Sequence, residues 1–179
     1  MSVHHIILIL GSGPRVGDAV AKAFSQKGYK IAIVSRKGTK SLSPEGYLSL
    51  EANFADPSTI PALFESVRGQ FGYYPNVVVY NAPAMTPPPA GNSVLSIPYE
   101  NVVSDLNVNT ISAYMAAQRS VMAWDTRPDK RKKSFIYTGN MLNKAIVPMP
   151  ALLNLGMGKS ASAFWIGMAD ASYKDVGYR

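Results

Sequence analysis

With 179 residues, 47% of them hydrophobic and 16% charged, the chain is long enough to bury one core as a single domain over 1–179, and its composition excludes disorder and collagen-like structure. It has no cysteine. That rules out a disulfide framework, thiolate metal ligation and a cysteine nucleophile, and it is compatible with a reducing, cytoplasmic setting. A formal net charge of +7 favours phosphorylated ligands without naming one.

The longest opening apolar run, Ile6 to Leu10, is far short of a membrane span, and no basic region of a signal peptide precedes it. A soluble chain without a membrane partner is therefore expected. Val3 to Leu10 reads as a central strand buried on both faces, ending at Gly11. Val16, Val20, Ala23, Phe24 and Lys27 then recur at helical spacing, with Gly28 as a C-terminal cap. Tyr29 to Ser35 is a second strand and Leu48 to Asn53 a short third. A helix follows from about Pro57 to Phe71, with proline tolerated in its first turn.

Asn76 to Tyr80 is the next apolar strand, and a proline-rich loop runs from Ala82 to Pro98. Ser96 is placed to cap a long helix from about Tyr99 to Trp124, Ser134 to Thr138 reads as a fifth strand, and a last helix covers roughly Leu152 to Tyr173. Strands alternating with helices imply a parallel sheet with right-handed crossovers, so the fold class is α/β, doubly wound. The proline-rich loop belongs over the C-terminal edge of that sheet, where such folds place ligands.

Several features have bland readings. His4 and His5 are adjacent on a strand and point to opposite faces, so they form no shared metal site, and no metal is expected. The basic segment of Arg127, Lys130, Arg131, Lys132 and Lys133 reads as a solvated loop rather than a nucleic-acid surface. Met141, Met149, Met157 and Met168 read as core filling in preference to an adaptable pocket, and Trp124 and Trp165 as helix packing.

The chemistry lies in the first turn. Gly11, Gly13 and Gly17 stand between the first strand and the first helix, where glycine lets the backbone approach a pyrophosphate and the helix start presents free amides. Val16 occupies the third-glycine position of the common G-x-G-x-x-G pattern. The second strand ends in Ser35, Arg36 and Lys37, where dinucleotide sites choose their cofactor. An acid there would repel a 2′-phosphate; Arg36 offers that phosphate a planar fork, and Arg15 adds a second cation. NADP(H) is accordingly expected over NAD(H).

These residues resemble the short-chain dehydrogenase/reductase family over nearly the whole chain. Its T-G-x-x-x-G-x-G turn is similar to Leu10-Gly11-Ser12-Gly13-Pro14-Arg15-Val16-Gly17, its acidic-apolar pair around adenine to Asn53-Phe54, and its N-N-A-G turn to Tyr80-Asn81-Ala82-Pro83. The family's catalytic asparagine matches Asn109, with Asn107 as a nearby rival. The resemblance implies a Rossmann-type sheet of order 3-2-1-4-5 with helices on both faces. It also implies a homodimer through the two long C-terminal helices.

The Y-x-x-x-K motif reads Leu155-Gly156-Met157-Gly158-Lys159: the lysine that holds the nicotinamide ribose is present and the proton-transferring tyrosine is not. Leucine moves no proton. The assisting serine is also not evident, and Thr138, Asn140 or Asn143 could donate a hydrogen bond to a bound carbonyl without acting as an acid. The chain stops where the family enters its sixth strand, which would leave the fifth strand as an exposed edge, so either a truncated form or another chain covering that edge is expected. Two functions stay open: an NADP(H)-dependent oxidoreductase on an unknown carbonyl or alcohol, with a bound water or a group such as Tyr137 moving the proton, and a redox-silent NADP(H) binder. A nucleic-acid binder is the weaker third.

Overall fold

The computed structural model describes residues 5–91, 93–127 and 131–179. The expectations for Val3, His4, Pro128, Asp129 and Lys130 lie outside them. One sheet organises the chain: β1 (Ile6–Leu10), β2 (Lys30–Ser35), β3 (Ser41–Leu42), β4 (Leu48–Glu51), β5 (Val77–Tyr80) and β6 (Ser134–Tyr137), in the order β3-β4-β2-β1-β5-β6. All pairs are parallel except β3 with β4. The expected five-strand order is therefore present with a two-residue antiparallel strand added outside it. That added strand also makes the return from β2 to β4, so this crossover contains no helix.

β1 is central, and all five of its residues are fully buried because both faces are covered. Its pleat divides the core in two. Ile6, Leu8 and Leu10 join α2 (Ile60–Phe71) and α4 (Ser112–Asp125) on one face, while Ile7 and Ile9 meet α1 (Val16–Ser25) on the other. The inward stripe of α1 differs from the expected one. It runs through Gly17, Val20, Ala21 and Phe24, and Val16, Ala23 and Lys27 face outward.

The long helix expected from Tyr99 to Trp124 is three pieces: α3 (Tyr99–Leu106), a π-helical turn at Asn107–Ile111, and α4. A π-turn inserts a residue into the helical ladder and re-aims the side chains around it. Ser96 does not cap α3; its hydroxyl donates to Ala90 O and Ser93 O inside the loop, and α3 starts at Pro98 without a side-chain cap. α5 (Leu153–Tyr173) agrees with the expected last helix within a residue.

Three expectations are corrected at the far end of the sheet and around it. The β6 edge is covered only at its start, where Phe135 N donates to Arg179 O at 2.6 Å and Arg179 N to Lys133 O at 3.1 Å beside a parallel bridge between Lys133 and Tyr178, while Ile136 further along is 45% exposed. The basic segment is not a uniformly solvated loop. Arg127 is 6% exposed, donates to Tyr74 O and lies over the Tyr73 ring, and Lys133 Nζ reaches Trp124 O at the C-terminal end of α4, where a cation is favoured. The methionines are not core: Met141, Met149, Met157 and Met168 are 67%, 55%, 43% and 60% exposed. Trp124, by contrast, is buried with its indole on Pro75 O, and Trp165 packs between Tyr114 and Phe135, as helix-packing residues do. The His5 and Tyr29 rings meet at a tilt of 37° with centroids 4.9 Å apart.

Candidate functional site

The C-terminal ends of β1, β2, β4 and β5 open into a cleft of about 840 Å³. Its wall contains Gly11, Gly13, Arg15, Val16, Ser35, Arg36, Asn53, Phe54, Asn81 and Ala82, ten of the candidate residues. They come from four separate turns, and the parallel arrangement of the strands is what gathers them at one edge.

Glycine is needed here for two distinct reasons. Gly11 has φ +95°, and a Cβ on it would lie 2.5 Å from Ala82 N, so the turns after β1 and β5 touch backbone to backbone. Gly17 is buried, and its Cβ would lie 2.6 Å from Ser12 Cα, so only glycine lets α1 begin this close to the strand end. Gly13 instead faces open space, with nothing within 4 Å of a Cβ. The start of α1 has no side-chain cap, and while Asp18 N donates to Gly13 O, the amides of Val16 and Gly17 before it face that opening as candidate anion donors. Arg15 and Arg36 are exposed on the same wall, and neither takes part in an ion pair among the described residues.

Asn81 and Asn109 are bound to the protein itself. Asn81 Nδ2 donates to Gly11 O at 3.0 Å and its backbone N to Leu10 O, locking β5 to the glycine turn. Asn109, in the π-turn, is fully buried; its Oδ1 accepts Ala84 N at 2.9 Å and its Nδ2 donates to Ala84 O at 2.7 Å. Asn107, its rival, donates to Ala55 O instead. Asn53 Oδ1 accepts Ala55 N, and Phe54 turns its ring inward against Tyr80, 5.5 Å away, so little of that ring faces the cleft. The cleft also takes in Ser12, Pro83, Ala84, Met85, Ser104 and Val108. The first four flank recognised motifs. Ser104 and Val108 are one helical turn apart, and the signal in that segment points to Asn107 and Asn109 rather than to them.

Lys159, Gly17 and Asn109 stand behind the wall rather than on it. Lys159 is 4% exposed, donates from Nζ to Thr138 O at 2.7 Å, and rests 4.3 Å over the Tyr137 ring. Burial lowers its pKa to about 8. Gly158 before it presses on Asn109, where a Cβ would come within 2.3 Å of the asparagine Cβ. The Tyr137 hydroxyl is committed as a donor to Asn109 O at 2.7 Å, and burial raises its pKa. Tyr80 is held in the same way on Val108 O, and burial raises it further. Neither phenol is an acid at neutral pH. Asn140 and Asn143 are used in capping a short 3-10 turn, with Asn140 Oδ1 on Leu142 N and Asn143 Oδ1 on Asn140 N.

A buried acid ties this region together. Asp105, 5% exposed, accepts Thr86 N at 2.7 Å and Asn154 Nδ2 at 2.9 Å, joining the proline-rich loop and α5 to α3. Among the described residues no cluster of histidine and acidic side chains can hold a metal, and no helix is long and apolar enough to cross a membrane.

A doubly wound, mostly parallel sheet with a glycine turn opening its first helix defines a Rossmann-type α/β protein. No family model matches the chain. It is 35% identical over 185 residues to the short chain dehydrogenase/reductase dmxR12 of Cryptosporiopsis sp. (strain 8999), an alignment covering 97% of this chain and 73% of that protein. The chain therefore belongs to the short-chain dehydrogenase/reductase family, a family of oxidoreductases. Solved structures agree on the fold. A 3-oxoacyl-[acyl-carrier protein] reductase from Brucella melitensis, solved in complex with NAD, superposes with TM-score 0.83 at 18% identity, covering 99% of this chain and 71% of that one. A short chain dehydrogenase from Burkholderia cenocepacia J2315 in complex with NADP gives 0.77 at 18% identity over 98% and 70%.

Proposed function

We propose that the chain is a single-domain, NADP(H)-dependent oxidoreductase acting on a carbonyl or the corresponding alcohol. The observation that carries this reading is the shared cleft: an open Gly13, an uncapped α1 start and two cations without ion pairs among the described residues face the same space. The pyrophosphate would lie on the glycine turn and the α1 amides, and the adenosine 2′-phosphate between Arg36 and Arg15. Ser35 and Asn53 would border the adenosine, Phe54 would contribute the edge of its ring, and Asn81 and Ala82 would fix the floor. When bound, NADPH supplies the hydride for reduction of a carbonyl. Known neighbours of this fold bind NAD in one case and NADP in another, and the exposed Arg36 on the cleft wall supports NADP for this chain.

Proton movement falls to Lys159. Leu155 carries no exchangeable proton and the Tyr137 and Tyr80 hydroxyls are held on backbone carbonyls, whereas the buried Lys159 amine, its pKa lowered to about 8, would pass its proton from behind the cleft wall to a substrate oxygen through a bound water. Asn109 positions this group by holding Ala84 and accepting Tyr137. Leu155 itself favours a second reading, in which the cofactor is bound without redox turnover. Calorimetric titration with NADPH and NADH tests the site: tight binding of NADPH alone supports it, and binding of neither refutes it. Turnover in the parent chain then supports the oxidoreductase, whereas turnover only in Leu155→Tyr supports the silent binder. The reading includes a homodimer through α4 and α5, between which Tyr114, Met122, Trp165 and Met168 line an apolar groove of about 680 Å³; light scattering reads the mass.

A further inference from the structure

Where neighbouring strands are parallel, the segments that lead into them emerge together at one edge of the sheet, and here that edge lies opposite the cleft. Lys27 and Lys30 stand at the entry to β2, Tyr73 and Tyr74 before β5, and Lys132 and Lys133 before β6. The end of the chain, with Lys174, Tyr178 and Arg179, returns to the same edge through the bridge from Lys133 to Tyr178. Contacts join these segments into one surface. His5 O accepts Lys30 N while the His5 ring meets Tyr29, and Asn76 ties β1 to β6 by accepting Ile6 N and donating to Lys132 O at 3.3 Å. Arg179 N then donates to Lys133 O, and the Arg179 guanidinium to Lys174 O. From β2 to β6 the edge is roughly 15 Å long.

The charge of this edge is basic and partly unspent. Among the described residues of its connections the acids are Glu45 and Asp175. On the helix ends beside them, Glu65 is engaged by Arg68 and Tyr74, and Asp125 by Tyr178. Lys133 serves the C-terminal carbonyls of α4. Lys27, Lys30, Lys132 and Lys174 are exposed, and their amines make no hydrogen bond or ion pair among the described residues. Aromatic rings alternate with the cations. Arg127 lies over Tyr73 at 5.6 Å and Arg68 over Tyr74 at 5.2 Å, and these four residues, with Gly72 and Thr126, line a recess of about 360 Å³. Lys133 lies 5.4 Å over Tyr178, with the Tyr173 ring 6.2 Å beyond.

A basic run taken alone reads as a solvated loop, because a nucleic-acid surface spreads its charge over a face and adds aromatic side chains. The fold supplies both. A patch that docks on a membrane needs apolar side chains to insert, and Val176 is the only large apolar side chain exposed in these connections among the described residues. We propose that this edge binds single-stranded nucleic acid, with phosphates on Lys27, Lys30, Lys132 and Lys174 and a base in the recess formed by Tyr73, Tyr74 and their guanidinium partners. The cofactor reading is not needed for it, since the cleft opens at the other edge.

Fluorescence anisotropy of a labelled oligothymidylate of about 12 nucleotides, titrated with the full chain, reads the binding. Four phosphate contacts give a rise of log Kd with log salt of slope about 3, roughly a 50-fold loss of affinity between 50 and 200 mM KCl. Lys30→Glu and Lys132→Glu, at exposed positions that leave folding intact, are each expected to weaken the oligonucleotide about fivefold and to lower that slope by about 0.7. Tyr73→Leu is expected to cost about tenfold with the slope unchanged, and Tyr73→Phe to keep the parent affinity, because stacking uses the ring and not its hydroxyl. Saturating NADPH and Arg36→Ala are expected to leave the Kd in place. Displacement by NADPH, or loss with Arg36→Ala, would move the oligonucleotide into the cleft and overturn the proposal. Equal affinity for a duplex of the same length, a salt slope near zero, or no binding at 50 mM KCl would also overturn it. Phosphatidylserine vesicles that bind the chain where the oligonucleotide does not would assign the edge to a membrane instead.

Discussion

The buried amine of Lys159 gives the clearest energetic test, because its effect on stability has a sign fixed by the fold. In the unfolded chain the amine titrates at the ordinary lysine value of 10.5, and in the fold burial brings it down to about 8. Between those values the unfolded state binds the proton and the folded state does not. Stability of the parent chain therefore rises with pH across that window, and the penalty for burying the charge is fully present below about pH 8. One proton difference is worth about 1.4 kcal/mol per pH unit at most. Residual solvent screening around the Thr138 carbonyl reduces the sum, so a total of about 1–2 kcal/mol is expected over the window. Lys159→Met keeps most of the stem packing and removes the titration.

The variant also loses the hydrogen bond to Thr138 O and the contact with the Tyr137 ring, so its absolute stability at one pH says little. The informative quantity is the difference between the two proteins as pH changes, since groups common to both cancel. Urea melts of both proteins from pH 7 to 10 should show the parent gaining on the variant by about 1–2 kcal/mol, with equal m-values. A difference that stays flat across that range would mean the amine remains hydrated in the fold, and the role given to it in proton movement would fall with it.

Arg36→Ala should weaken NADPH by about 10- to 100-fold, the loss of a charge-assisted contact, and leave NADH within about twofold; calorimetry reads both, and an equal loss for the two would place Arg36 elsewhere on the cofactor. Gly11→Ala meets both a left-handed φ and the backbone of Ala82, so thermal or urea denaturation should show a loss of about 2–4 kcal/mol. Asp105→Ala strips Thr86 N and Asn154 Nδ2 of their acceptor at a buried position, and about 2–4 kcal/mol should be lost together with hydrogen-exchange protection at Thr86. Protection at Thr86 that survives in this variant would show that another group holds the loop.

Much of the fold is legible in the chain because it depends on patterns a few residues long. The unbroken run Ile6 to Leu10 needs two covered faces, and the sheet supplies them on β1. Gly11 and Gly17 announce a turn too tight for a side chain, and the contacts with Ala82 and Ser12 are the steric reason. The order of the five parallel strands is the one the family resemblance implies, and the positions gathered in the cleft follow from that order. The missing tyrosine is likewise a fact of sequence, since no packing turns Leu155 into an acid.

What only the tertiary structure decides concerns burial and partners, which composition and spacing do not encode. The π-turn in the long helix sets Asn109 on Ala84, and nothing in Val108-Asn109-Thr110 signals it. The same limit explains Arg127, which reads as part of a solvated run and is held over the Tyr73 ring and on Tyr74 O, because a neighbouring loop offers an aromatic face and a carbonyl. Tyr137 looks available in the sequence and is held on Asn109 O. Methionine is apolar by composition wherever it occurs; only the path of the loops determines that Met85, Met141 and Met149 meet solvent rather than the core, with Met85 on the cleft wall. An apolar side chain is buried when other elements exist to cover it, and in this chain none of the described elements closes over those loops.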